Sequence, residues 1–191
     1  MPTNASRNSM VLPLLGLLVE QPAHAYDLTA RLAARYAHPA VTRSTVTSLL
    51  KTLAKEGLVA AGAPARVGNR PPRTVYELTG EGISDFRRRV ASGLRDTAVA
   101  SADFTMAVAY AGILPADRVV RLLTARLERV GELLASLDVA GDGVTEVHML
   151  EVAYWRRIAG AEADWLGSLI ARIGSDSIDW PGRTAPEGTP S

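Results

Sequence analysis

The sequence predicts a mainly α fold with one small β-hairpin, on three observations. Residues 42–56 place Val46, Leu49, Leu50 and Leu53 at i, i+3, i+4 and i+7, the apolar stripe of an amphipathic helix. Residues 73–79 alternate as a short strand, with Tyr76 and Leu78 on one side and Val75 and Glu77 on the other. Residues 115–137 and 144–173 repeat apolar side chains at spacings of three and four, as two long antiparallel helices do.

Composition sets the frame. The chain has 191 residues, which allows one domain of about 100–200 residues or two small ones. With 47% hydrophobic and 21% charged residues it can form a packed core. The absence of cysteine excludes disulfides, thiolate metal sites and cysteine nucleophiles, and makes a reducing compartment, the cytoplasm, the expected location. The formal net charge is +1, but residues 1–95 hold 13 Lys/Arg and 6 Asp/Glu while residues 96–191 hold 8 and 14. Such a split suggests a polyanion-binding part joined to one that avoids polyanions.

In chain order, residues 10–19 are apolar but only about half as long as a bilayer span, and Glu20-Gln21-Pro22 is no small-residue cleavage site. They read as a core helix, with no membrane association. Residues 27–36 form a short amphipathic helix, with Asp27 as N-cap, Leu28, Leu32 and Tyr36 on one side, and Arg31 and Arg35 toward the other. His38-Pro39 breaks the chain, because the residue before proline is pushed away from helical angles. The helix over 42–56 then starts at Thr42 as cap and stops at Gly57.

The outer face of that helix carries Arg43, Ser44, Thr45, Thr47, Ser48, Lys51, Thr52 and Lys55, with no acid before Glu56. Hydroxyls and cations donate to phosphate oxygens, and arginine can pair bidentately with guanine. An ordinary solvated face mixes both charge signs. Leu58-Val59-Ala60 begins a strand that pairs with 73–79, and the long connection carries Arg66, Asn69, Arg70 and Arg73 without an acid. A basic loop on a hairpin beside a basic helix is the pattern of a winged helix-turn-helix, whose helix enters the major groove while the wing grips backbone or minor groove.

Thr79 caps a helix over 80–94, with Ile83, Phe86, Val90 and Leu94 as its inner stripe. The run Arg87-Arg88-Arg89 is either a solvated face or an aid to phosphate binding. The expected organisation is a DNA-binding domain over 8–95, a helical dimerisation domain over 96–173, and a disordered tail over 174–191 in which Trp180 is a passenger.

In the C-terminal half, residues 98–113 offer a linking helix with Phe104, Val108 and Tyr110 as packing residues. Val120, Leu123, Leu127, Val130, Leu134 and Leu137 form the first long seam, and Val147, Leu150, Tyr154, Ile158, Ala161, Trp165 and Leu169 the second. Pro115 suits a first helical position, and Gly141-Asp142-Gly143 marks the break between them. Two helices alone make a thin core, so pairing with a second copy is expected, through Leu123, Leu127, Val130, Leu134, Leu150, Tyr154, Ile158 and Trp165. A two-fold axis would space two recognition helices about one DNA turn apart.

The only histidines are His24, His38 and His148. His24 is expected to pack or hydrogen-bond locally. His148 and Glu151 have a metal-compatible i, i+3 spacing but lack a convergent third ligand, so no metal or cofactor is expected. No phosphate-binding glycine loop, serine elbow or zinc motif occurs, and nothing supports catalysis.

Four segments resemble the PadR family of bacterial transcriptional regulators. They are Leu14-Leu15-Gly16-Leu17-Leu18; His24-Ala25-Tyr26-Asp27-Leu28; Leu50-Lys51-Thr52-Leu53-Ala54-Lys55-Glu56-Gly57-Leu58-Val59; and Arg73-Thr74-Val75-Tyr76-Glu77-Leu78-Thr79-Gly80-Glu81-Gly82. The resemblance covers about residues 8–95. Thr45-Val46-Thr47-Ser48 stands where that family usually has Thr-(Ile/Leu)-Tyr-Pro, and Ala25 where it usually has glycine. The resemblance implies a homodimeric winged-helix repressor of an operator in double-stranded DNA, with residues 42–56 as recognition helix and C-terminal helices that exchange contacts between subunits. It also implies response to a small aromatic or drug-like effector near the dimer interface, where Tyr154, Trp155 and Trp165 are pocket candidates and ordinary core packing is the alternative. The expected DNA contacts are Thr42, Arg43, Ser44, Thr45, Thr47, Ser48, Lys51 and Lys55 from the helix, with Arg66, Asn69, Arg70 and Arg73 from the wing. The rival expectation is a winged-helix protein-interaction module without specific DNA binding.

Overall fold

The computed structural model describes residues 9–36, 42–63, 73–139 and 145–181. The chain divides into two compact units, residues 1–89 and 90–191. The division falls inside a continuous helix.

In the first unit, α1 (Val11–Glu20) leads through β1 (Ala23–His24) into α2 (Ala25–Tyr36), followed by α3 (Arg43–Lys55), β2 (Val59–Ala61), β3 (Val75–Leu78) and the first part of α4 (Gly80–Asp96). Leu14, Leu15, Leu17, Leu28, Leu32, Leu50, Leu53 and Phe86 are fully buried and form the core. The expected hairpin is part of a three-stranded antiparallel sheet of order β1-β3-β2, in which Ala23 faces Tyr76 and Val59 faces Leu78. At two residues, β1 is too short to leave a period in the sequence.

The ends of α3 are built from local chemistry. The Thr42 hydroxyl accepts from the Thr45 amide at 3.2 Å. At the other end Gly57 takes φ +76°, its amide bonds Ala54 O at 3.1 Å, and the Leu58 amide bonds Leu53 O at 2.9 Å. That pair of bonds is a Schellman stop, which needs a left-handed residue that only glycine supplies without strain. All of Val46, Leu49, Leu50 and Leu53 are buried.

Thr79 joins this turn to the next helix. Its hydroxyl donates to Gly57 O at 2.6 Å and accepts from the Gly82 amide at 3.0 Å, which caps α4. Two expectations in this unit are corrected. Asp27 is not an N-cap, because the chain enters α2 directly from β1, and it sits in the first turn, where its charge still favours the positive helix end. Ile83 is 36% exposed while Phe86, Val90 and Leu94 are buried, because Gly82 is the position of α4 that meets the backbone of Leu58. Of the triple arginine, Arg88 and Arg89 both pair with the buried Asp85, and Arg87 is exposed.

In the second unit, α5 (Ala102–Ala109) and a 3-10 turn (Ala111–Ile113) precede α6 (Ala116–Val139) and α7 (Leu150–Gly174). Arg126 pairs with Glu162 and Arg156 with Asp138, so α6 and α7 run antiparallel. Their inner faces differ from the expected seams. On α6 the buried positions are Ala116, Val119, Leu123, Arg126 and Val130, whereas Val120, Leu127, Leu134 and Leu137 are half-buried. On α7 they are Ala159, Leu166 and Ile173, while Leu150, Tyr154 and Trp165 are exposed. A buried arginine at a seam position and alanine on an inner face invert the usual reading of hydrophobicity.

Arg126 is only 1% exposed and fully engaged. It donates through Nε to Glu162 Oε1 at 2.7 Å, through Nη1 to Thr97 O at 2.8 Å and through Nη2 to Ala98 O at 2.9 Å. Its guanidinium carbon lies 3.8 Å from the Phe104 ring centroid, and Glu162 Oε2 accepts from the Ala100 amide at 2.8 Å. Trp180 is no passenger either: it is buried, and its indole N–H donates to Leu114 O at 2.9 Å. His148 ends a 3-10 turn (Glu146–His148) before α7 begins, so it shares no helix with Glu151. No helix among the described residues is long and apolar enough to cross a membrane.

Candidate nucleic-acid interface

The first unit carries a groove of about 430 Å³ between the start of α2, the outer face of α3 and the strand-side end of the wing. Arg43, Thr47 and Lys51 line it from α3, one helical turn apart. Tyr26 and His24 contribute from the opposite wall, and Arg73, Thr74 and Tyr76 from β3 and the residues leading into it. None of its lining side chains is acidic. Among the described residues, no ion pair engages Arg43, Lys51, Lys55 or Arg73.

The groove is held by contacts that bridge distant residues. His24 Nδ1 lies 3.2 Å from Thr74 O across the β1–β3 pairing, not in a local turn, and Arg73 sits 5.4 Å from the Tyr26 ring centroid. Along α3 the Thr47 hydroxyl donates to Arg43 O at 2.8 Å and that of Thr52 to Ser48 O at 3.1 Å, which fixes their side chains along the helix. The Thr42 hydroxyl is 2.8 Å from those of both Ser44 and Thr45, a hydroxyl cluster at the helix start. Ser44, Thr45, Ser48 and Lys55 are exposed but lie outside the groove lining.

Of the wing residues singled out by sequence, Arg73 joins this site, whereas Arg66, Asn69 and Arg70 lie outside the described residues. Tyr26 and His24 were missed as site residues. The one signal for them was the compact His24-Ala25-Tyr26-Asp27-Leu28 segment, and its role depends on a strand pairing with residues about fifty positions away.

In the second unit a cleft of about 400 Å³ is lined by Phe104, Val108, Ile158, Glu162 and Trp165 among others. Trp165 therefore lies at a cavity. Tyr154 and Trp155 do not line it, and meet each other edge-on with centroids 5.7 Å apart. Among the described residues no group of three His, Cys, Asp or Glu could hold a metal ion.

Three helices and a small antiparallel sheet, whose first strand lies between α1 and α2 and whose β2 and β3 are joined by a long connection, define a winged helix-turn-helix protein. The transcriptional regulator PadR-like family matches residues 14–88. Among solved structures, a PadR-like transcription factor from B. fragilis is 30% identical, with 44% of this chain and 78% of that one covered and a TM-score of 0.40. Bacillus subtilis PadR in complex with operator DNA is 18% identical, with 87% and 99% covered and a TM-score of 0.43. The same protein in complex with p-coumaric acid is 18% identical, with 87% and 99% covered and a TM-score of 0.37. No curated protein matches. The chain belongs to the PadR-like family of transcriptional regulators, a family of regulators and not of enzymes.

Proposed function

We propose that the chain is a sequence-specific DNA-binding repressor that acts in the cytoplasm as a homodimer and is released from its operator by a small-molecule effector. The observation that carries this reading is the acid-free groove in which Arg43, Lys51 and Arg73 converge. In the proposed division of labour, residues 8–95 bind DNA and residues 96–173 dimerise. Arg43, at the start of α3, reads a base edge, while Lys51, Lys55 and the wing arginines hold phosphates.

Dimerisation is supported by the apolar side chains that α7 leaves exposed, Leu150, Tyr154 and Trp165. Leu123 and Val130, expected at the same interface, are buried within their own subunit, so the proposed contact is centred on α7. Effector release is supported by the cleft beside Phe104 and Trp165, whose apolar walls suit an aromatic molecule.

An anisotropy titration of the purified protein against its own upstream region, repeated across salt concentrations, tests the reading. Specific binding with a steep negative salt slope is expected, and binding that ignores both sequence and salt contradicts it. Arg43→Ala should cost about 1–3 kcal/mol on the preferred site and relax its sequence preference, whereas Arg70→Ala should weaken all duplexes alike. The reverse pattern would exchange the two roles.

A further inference from the structure

The groove holds an aromatic side chain that the recognition helix and wing leave unexplained. Tyr26, the second residue of α2, is 55% exposed, whereas Tyr76 in the same groove is buried. An exposed ring at a helix start contributes little to a core, so its use must lie in what it touches. It touches Arg73, whose guanidinium carbon stands over the ring at 5.4 Å from its centroid.

The two residues come together because β1 pairs with β3. His24 faces Val75, Ala23 faces Tyr76, and His24 Nδ1 meets Thr74 O at 3.2 Å, so the backbone on either side of the contact is anchored in the sheet. A ring beneath a guanidinium takes its face and leaves the in-plane N–H donors free. Arg73 lines the same groove as Arg43, Thr47 and Lys51. An arginine loses rotamer freedom when it grips a phosphate, and a surface that holds it beforehand removes part of that cost.

We infer that Tyr26 is a positioning residue for DNA: it holds the Arg73 guanidinium in the groove, so that α2, α3 and β3 grip one stretch of sugar–phosphate backbone together. This rests on the reading that the chain binds DNA. The ring is the active part, through the cation–π contact, and the hydroxyl is not required.

Anisotropy titrations of the full chain across salt test this, using a random-sequence duplex of about three helical turns and the protein's own upstream region. Tyr26→Ala is expected to weaken both about two- to fivefold, the value of an exposed cation–π contact. Arg73→Ala should lower the log–log salt slope by about 0.9, the loss of one phosphate contact. The double variant should bind no more weakly than Arg73→Ala alone, and Tyr26→Phe should bind like the parent. Losses that multiply, a Tyr26→Ala protein that binds normally, or a Tyr26→Phe protein as weak as Tyr26→Ala would overturn the inference. If the parent binds neither duplex, the DNA-binding reading itself falls. If the parent binds and Tyr26→Ala is indifferent, only the role of Tyr26 does.

Discussion

Single residues decide how tightly the wing and the C-terminal helices are built. A Cβ at Gly82 would stand 1.9 Å from Leu58 O and 2.7 Å from a methyl of Leu78, and the first of these is backbone that cannot turn aside. Gly82→Ala should therefore destabilise the protein by about 1–3 kcal/mol, as overpacking does, in a urea titration, and an unchanged midpoint would contradict the close approach. The same geometry explains why the segment Thr79-Gly80-Glu81-Gly82 reads as it does: threonine caps the helix while glycine admits the strand behind it. Arg126 is the second decisive residue. Arg126→Ala would leave Glu162, a side chain 9% exposed, without its countercharge, at a cost of about 3–5 kcal/mol. Replacing both by apolar residues, Arg126→Met with Glu162→Leu, should restore much of that loss, because the cost lies in the stranded charge. A single variant within about 0.5 kcal/mol of the parent would contradict the buried pair.

At the scale of elements, α3 was fully legible because its stripe, cap and glycine stop are all local chemistry. Helix α7 was legible as a helix but not in orientation. At about 100° per residue, Leu150, Tyr154 and Trp165 fall within roughly 60° of one another, and Ala159, Leu166 and Ile173 lie on the far side. Both stripes repeat properly, and the larger residues drew attention to the one that is exposed. Ala159 is buried instead, since a small side chain permits close helix packing, which no count of hydrophobicity reveals. Buried Arg126 and Trp180 escaped for a related reason: each is inside because its N–H groups find carbonyl or carboxylate partners far along the chain. If the exposed stripe is the dimer contact, Leu150→Glu with Tyr154→Glu should yield helical monomers in light scattering and weaken operator binding. A dimer that persists at the same concentration would move the interface elsewhere.

For the whole molecule, the net charge of +1 conceals a basic N-terminal half and an acidic C-terminal half. The groove gives that asymmetry a physical form, since the cations of α3 and Arg73 just before β3 line it and no acidic residue does. The sequence could place these cations on a helix and a loop. It could not bring Tyr26 and Arg73 together, because that depends on a two-residue strand. If this groove reads DNA in pairs, hydroxyl-radical footprinting of the purified protein on its own upstream region will show it. Two protected half-sites are expected about 10–10.5 base pairs apart, centre to centre, lost together on raising salt and shifted in sequence preference by Arg43→Ala. Protection no stronger than on random DNA, or a single site without a symmetry mate, would contradict it.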